Sequence, residues 1–162
     1  MKYKIQTVLL ILSALIMHRS AYSVENLLFK GSLIDMAECT INNDQRIDID
    51  FGPRLGISQI DGVNYRQAIN YQINCLPGTT TPDMAINITA NAMTNDNTAI
   101  QTDKTGLGIR LLQNGMPMNL NQALVFTSGN PPVLEAVPVT SDANLLTEGA
   151  FLAVATIQVE YQ

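Results

Sequence analysis

Few residues of this 162-residue chain have the types and spacing that catalysis requires. The single histidine, His18, lies in an N-terminal segment whose sequence predicts its removal. Without it, the chain has no Ser-His or Cys-His pair that could activate a nucleophile. No pair of carboxylates is recognisable as a buried acid-base site. We therefore expect a protein that is not an enzyme and that needs no cofactor.

Three weaker signals for ligand chemistry are better explained by strand structure. Asp48 and Asp50, with Asp44 nearby, could suggest calcium, but they alternate with apolar residues, and the calcium-loop glycine and distal glutamate are missing. The stretch Gly106–Gly108 lacks the third glycine of a nucleotide-binding loop. Asn87 begins an Asn-Ile-Thr glycosylation sequon inside a strand-like run. These residues predict neither a metal site nor a nucleotide site.

The N-terminus is typical of a secretory signal peptide. Two lysines precede an apolar run from Ile5 to Met17, and the small-residue pattern Ala21-Tyr22-Ser23 follows. The apolar run is too short to span a bilayer, and its flanks are those of a cleavage site. We predict that residues 1–23 are cleaved off and that the mature protein begins at Val24, without a membrane anchor.

Removal of this segment makes the chain more acidic. Its fourteen carboxylates then face six Lys and Arg residues, and the formal charge falls from −5 to −8. A surface of this sign disfavours nucleic acid and anionic lipid. The composition fits a protein partner or a neutral ligand instead.

Two cysteines, Cys39 and Cys75, remain in the mature chain. In an exported protein such a pair predicts one disulfide, because the compartment is oxidising. The alternatives are two free thiols or half of a metal site, although no histidine remains to complete a zinc site.

Most of the mature chain has the pattern of short strands bounded by turn residues. In Gln45–Phe51, for instance, Ile47, Ile49 and Phe51 alternate with polar residues before Gly52-Pro53 ends the run. Because no segment has a sustained helical period with caps, we predict an all-β sandwich of about seven strands. Further strands are predicted at 68–75, 84–90, 106–112 and 131–139. The prolines of the last run favour an edge strand, and residues 91–105 are predicted to form an exposed loop with room for a short strand inside it.

Both ends of the mature chain carry strand patterns. Near the N-terminus, apolar residues and a glycine alternate with mostly polar ones; this register is Leu27, Phe29, Gly31 and Leu33. In the closing stretch every second residue is apolar, which is the period of a strand with one face on a core. That register is Phe151, Ala153, Ala155, Ile157, Val159 and Tyr161.

Four stretches together identify a family: FKGSL (29–33), CTINNDQRIDIDFG (39–52), YRQAINYQINC (65–75) and the closing GAFLAVATIQVEYQ with its penultimate tyrosine. With them the chain resembles the subunits of chaperone-usher pili, and most of all the minor tip and adaptor pilins of the P-pilus type. One departure is Met36-Ala37-Glu38 before the first cysteine, where pilins often carry proline or small residues.

The resemblance implies a pilin fold, an incomplete immunoglobulin-like sandwich that lacks its last strand and is completed in trans by donor-strand exchange. Residues 24–37 would be a donor-strand extension, and residues 38–162 the pilin domain. The side of the extension that enters the groove of the preceding subunit would be formed by Leu27, Phe29, Gly31 and Leu33. The groove and chaperone-binding residues would be Phe151, Ala153, Ala155, Ile157, Val159, Tyr161 and Gln162.

The implied partners are a periplasmic pilus chaperone, an outer-membrane usher and neighbouring pilus subunits. The protein would pass through the periplasm to the cell-surface fimbrium, where it would serve as a structural minor or adaptor subunit and support cell adhesion.

The residue patterns alone are also compatible with a different kind of protein, a self-contained exported β-sandwich that binds a carbohydrate or protein ligand. In that protein, residues 27–33 would pair within their own molecule, with Gly31 marking a bulge. The mature chain offers poor material for a sugar platform, since it has no Trp and few Tyr and Phe.

Overall fold

A computed structural model describes residues 27–33, 38–76, 83–127 and 129–161. The predicted signal peptide and Gln162 lie outside the described residues, as do residues 24–26 and 34–37 of the predicted extension. The chain divides into two compact units, residues 1–34 and 35–162. In the first unit, residues 27–33 form no regular secondary structure and are exposed. No helix among the described residues is long and apolar enough to cross a membrane.

The second unit consists of short strands joined by turns and by 3₁₀ segments at Asn42–Asp44, Ile57–Gln59 and Ala143–Leu145. The strands are β1 Cys39–Ile41, β2 Gln67–Ile69, β3 Ile73–Cys75, β4 Met84–Thr89, β5 Ala92–Met93, β6 Asp96–Gln101, β7 Leu107–Gln113, β8 Met116–Pro117, β9 Ala123–Phe126, β10 Leu134–Thr140 and β11 Thr156–Tyr161.

The described strands pair antiparallel in three sheets. The largest has the order β2-β10-β7-β6-β5, with β8 paired to β7; the second has the order β11-β4-β9, and β1 pairs with β3. Asn114 and Gly115 close the β7–β8 hairpin with positive φ angles of 49° and 81°. Asn-Gly suits such a tight turn because neither residue strongly resists the left-handed conformation.

One apolar core joins the two larger sheets. It is filled by alternate residues of β4, β7 and β10, namely Met84, Ile86 and Ile88, then Ile109 and Leu111, then Leu134 and Ala136. Burying a large aliphatic side chain of this kind contributes roughly 1.5–3 kcal/mol before ordering costs. The structure confirms the all-β fold expected from the alternation, and its sheets are not closed.

Cys39 and Cys75 form a disulfide, as predicted. They lie directly opposite each other in the ladder between β1 and β3. The bond closes a loop with a sequence separation of 36 residues. In the chain-entropy description, a loop of this length contributes roughly 3–4 kcal/mol of stability.

The predicted strand at 68–75 is instead two strands. β2 pairs with β10, whereas β3 pairs with β1. The chain passes from one sheet to the other at Asn70–Gln72, which belong to no strand. Alternation cannot reveal this change, because the apolar register continues through Ile69, Tyr71 and Ile73.

β10 is a central strand, which corrects the edge position expected from its prolines. It pairs with β7 along its whole length and with β2 at Leu134–Ala136. Pro138 lies beyond the end of β2, and its carbonyl accepts a hydrogen bond from the N–H of Gly62. In an antiparallel strand the N–H and C=O of one residue point to the same side. The missing N–H of Pro138 therefore lies on the side of Gly62, away from β7, and the β10–β7 ladder loses no hydrogen bond.

Residues 91–105, predicted to be an exposed loop with room for a short strand, contain two strands, β5 and β6. Ala99 and Ile100 of β6 are buried. Two polar residues of β6 share a partner on β7. Arg110 donates to Asp96 over 2.7 Å and to Thr98 over 3.1 Å. The polar composition thus belongs to the outer side of a paired strand rather than to a loop.

The ion pair of Asp96 and Arg110 makes part of the stability depend on pH. Burial raises the pKa of the Asp96 carboxyl, but hydrogen bonds from Thr98 and Arg110 outweigh burial and lower that pKa below its ordinary value. The carboxyl of an unfolded Asp has a pKa of about 3.9. The stabilisation is therefore complete above that pH and is lost as the pH falls through the lower folded-state pKa.

We expect Asp96→Asn to remove this contribution. The difference in unfolding free energy between wild type and variant should be constant around neutral pH and should narrow below about pH 4. Urea denaturation at a series of pH values measures it. A difference that does not change with pH contradicts the assigned pair, and Asp142→Asn, at an exposed turn, is the control.

Candidate functional site

Among the described residues, β11 forms a strand ladder on one side only. Thr156–Tyr161 pair with Met84–Thr89 of β4, and no described strand forms a ladder with the other edge. An open edge of this kind presents main-chain N–H and C=O groups to which a further strand can add.

The face of the closing segment that turns towards the core is apolar. Phe151, Ala153, Ile157, Val159 and Tyr161 are half-buried and pack against the core. The residues between them are exposed, as the alternation predicts. Ala155 belongs to the inward register but is itself exposed.

A second apolar segment runs through Gln45–Phe51. Ile49 and Phe51 pack against the same core, while Asp48 and Asp50 are exposed. The predicted alternation is therefore correct, but the segment is not a strand and has no ladder partner among the described residues. We call the space between segments 45–51 and 151–161 the groove.

The chain is turned away from β1 by a left-handed segment before the groove wall begins. Asn42, Asn43 and Asp44 have φ angles of 53°, 51° and 60°. Asn and Asp tolerate this conformation better than other non-glycine residues, because their short side chains bond locally. The side chain of Asn43 accepts a hydrogen bond of 3.1 Å from Asn74.

Contacts lie at both ends of the groove, and one of them comes from β1, which precedes the first wall. At one end, the Tyr161 hydroxyl lies 2.7 Å from the Cys39 sulfur. At the other end, the ring centroids of Phe51 and Phe151 are 6.0 Å apart. These contacts fix the groove's length and connect its narrow end to the disulfide.

The groove widens beside Phe51 and Phe151 into a cleft of about 1050 Å³ between residues 49–58 and 146–151. Buried Ile60 and Leu107 are among the residues that line it. Sequence reasoning did not single out this cleft. Leu107 belongs to a predicted strand, but residues 52–60, which supply one wall, show no period that would place them there.

The described residues offer little for metal or acid-base chemistry. No group of three His, Cys, Asp or Glu side chains among them could hold a metal ion. Burial raises the pKa of the Tyr71 hydroxyl to about 12, and this hydroxyl donates to the Pro132 carbonyl. That favours a neutral structural tyrosine. The groove is suited to binding an extended chain with alternating apolar side chains.

The predicted donor residues lie in the first unit and are strongly exposed. Leu27, Phe29 and Leu33 have relative exposures of 71%, 84% and 104%. A Cβ atom added at Gly31 would meet nothing within 4 Å. Side chains this apolar are rarely left in water without a partner surface.

Sequence comparisons relate the chain to fimbrial proteins. A family model described as fimbrial protein matches residues 27–162. The uncharacterized fimbrial-like protein YfcQ of Escherichia coli (strain K12) is 32% identical over 143 residues, which cover 85% of this chain and 88% of the relative. The uncharacterized fimbrial-like protein YfcR of the same strain is 35% identical over 130 residues, covering 76% and 73%.

Solved structures show the same fold. The P pilus adaptor subunit PapF is 25% identical with a TM-score of 0.57, and 79% of this chain covers 98% of it. The P pilus rod subunit PapA is 26% identical with a TM-score of 0.61, covering 76% and 99%. A subunit in a chaperone-usher pilus structure, at 22% identity and a TM-score of 0.61, supports the fold alone.

An apolar dye provides a test of the groove that is independent of any partner. Phe151→Ala removes an inward ring and should weaken binding of anilinonaphthalene sulfonate by on the order of tenfold, since a large apolar contact is lost. Leu152→Ala, the adjacent outward residue at 67% exposure, is the matched control and should leave binding unchanged. Fluorescence titration measures both, and equal effects contradict the groove.

Proposed function

This chain belongs to the fimbrial protein family and is a pilin of the chaperone-usher type, and we propose that it polymerises by donor-strand exchange as a minor or adaptor subunit and supports cell adhesion. The family is one of structural proteins rather than enzymes. The observation that carries the proposal is the open edge of β11 beside an apolar groove that reaches the core.

In the proposed mechanism, the extension of a neighbouring subunit lies along β11 and completes the sandwich. Main-chain hydrogen bonds to the open edge supply affinity, and alternate side chains that enter the groove fix the register. A slip by one residue would turn the apolar side of the incoming strand to water. The inward residues Phe151, Ala153, Ala155, Ile157, Val159 and Tyr161 would form one wall.

This chain would contribute its own extension to the preceding subunit. Leu27, Phe29 and Leu33 would enter that subunit's groove, each contributing roughly 1.5–3 kcal/mol before the cost of ordering the strand is subtracted. Gly31 would face a shallow part of the groove, where a side chain has no room. The exposure of all four residues supports this role.

An open apolar groove needs protection before assembly, because unpaired edges aggregate. We assign that protection to a periplasmic chaperone that supplies a temporary strand and holds the carboxylate of Gln162. An outer-membrane usher would then exchange that strand for a neighbouring subunit's extension. The disulfide agrees with transit through an oxidising compartment.

The minor or adaptor role rests on the resemblance of the stretch 39–52 to such subunits. The solved adaptor and rod subunits match this chain about equally well. The number of copies of this chain in each purified fibre distinguishes an adaptor subunit from a rod subunit. We expect this chain at one or a few copies per fibre by quantitative mass spectrometry, and a count that grows in proportion to fibre length contradicts the adaptor role.

Donor-strand exchange is tested by completing the sandwich within one chain. We compare residues 24–162 with a variant that lacks the extension and carries a copy of residues 25–35 after Gln162 through a short linker. The first should aggregate or be degraded, and the second should be a stable monomer by gel filtration and thermal melting. If the first is already a stable monomer and the second gains nothing, the sandwich closes in cis and ligand binding becomes the better function.

Register is tested in the appended copy. Phe29→Ser there should lower the melting temperature by about 5–10 °C, because an inward ring is lost. Leu28→Ser is the matched control, since Leu28 belongs to the outward register, and it should have little effect. Equal shifts contradict the proposed register.

A further inference from the structure

Each of the two walls of the cleft beside Phe51 and Phe151 is held by hydrogen bonds to residues outside the cleft. The wall at residues 52–58 is held by Tyr65. The N–H of Gly56 donates to the Tyr65 hydroxyl over 2.9 Å, and that hydroxyl donates to the Gln59 side chain over 2.8 Å. Ile60, which is 8% exposed, follows this wall and anchors it in the protein.

The opposite wall, residues 146–151, is held by the loop between β6 and β7, in part through Leu152, which directly follows the wall. The N–H of Leu152 donates to Asp103 Oδ1 over 2.8 Å, and the N–H of Asp103 donates to the Leu152 carbonyl over 3.0 Å. Lys104 Nζ donates to the Glu148 carbonyl over 3.0 Å. Gly149 leaves room for this lysine, because a Cβ atom there would lie 2.9 Å from Nζ.

The loop that provides these bonds is itself fixed in place. Thr102, a buried polar residue at 6% exposure, donates to the Leu107 carbonyl over 2.9 Å and accepts from the N–H of Lys104 over 3.0 Å. From the other side, Thr140 donates to the Gly106 carbonyl over 2.9 Å. The loop can therefore act as a rigid support for the wall that it holds.

We propose that Asp103 and Lys104 are positioning residues that hold the cleft open for an incoming donor strand. This inference rests on the proposed function. Without these bonds, the wall at residues 146–151 can fall into the cleft towards half-buried Phe51, since burying the apolar surface that stays accessible there is favourable. The incoming strand would then have to displace the collapsed wall. A wall held in advance removes that step, as preorganisation does in binding generally.

The test measures the rate at which a strand enters the groove. The probe is a fluorescein-labelled peptide with the sequence of residues 25–35, and its uptake is followed by fluorescence anisotropy. Because the chain that begins at Val24 is expected to aggregate while its groove is empty, the peptide is already present when that chain is diluted from urea to a low concentration. Lys104→Met and Asp103→Ala should each slow association about fivefold, the factor expected for one net hydrogen bond. Lys104→Arg retains a donor and should restore the rate to within about twofold of wild type.

Two controls separate positioning from general stability. Arg66→Met removes a cation that pairs with Glu135 over 3.6 Å, and it should leave the rate unchanged. In the form that carries the appended strand after Gln162, the strand itself supports the wall, so Lys104→Met should leave the melting temperature unchanged. Slower association together with both unchanged controls supports the positioning role.

Three results overturn it. Unchanged association rates in Lys104→Met and Asp103→Ala show that the cleft stays open without these bonds. A parallel loss of melting temperature in the strand-filled form shows a merely structural role. If the wild-type chain does not take up the peptide at all, the proposed strand exchange fails first, and the inference falls with it.

Discussion

The structure depends on the open edge of β11, whose inward apolar face is only half-buried by the described residues. Main-chain groups and apolar side chains both need a partner at the same place, and a strand with alternating apolar residues satisfies both at once. A helix could cover the side chains but would leave the strand edge open, whereas solvent would satisfy the edge but leave the side chains in water. The geometry therefore selects the type of partner before any particular protein is considered.

A left-handed turn helps to keep the edge of β11 open. The left-handed turn at Asn42–Asp44 takes the chain out of the β1–β3 ladder, so the following residues form a groove wall instead of another paired strand. Non-glycine residues in this conformation cost roughly 1–2 kcal/mol each by backbone sterics, which local side-chain bonds partly offset. The fold accepts that cost at the place where an extra paired strand would fill the groove, which is typical of strain at functional sites.

The sequence predicts which face of each segment is buried far better than it predicts what each segment pairs with. The inward register of the closing strand, the disulfide and the family could all be inferred from residue types and spacing. The break at Asn70–Gln72, the central position of β10 and the pairing of the strands within residues 91–105 could not, because they depend on which neighbour lies alongside. Ile47, Ile49 and Phe51 show this limit well: the alternation is that of a strand, and yet the segment has no ladder. The cleft is the least predictable feature, because its walls come from segments 49–58 and 146–151, which are far apart in sequence and lack a period.

The contact between Tyr161 and Cys39 links the end of the described strand to the covalent chemistry of the first one. β1 is held against β3 by the disulfide, and the narrow end of the groove forms where the last described residue meets that bond. Thiols stay reduced in the cytosol and are oxidised after export, so under the proposed function this disulfide forms in the compartment where strands would be exchanged. A subunit exported in this way would receive its neighbour's strand only after the disulfide has fixed the cysteine that Tyr161 contacts.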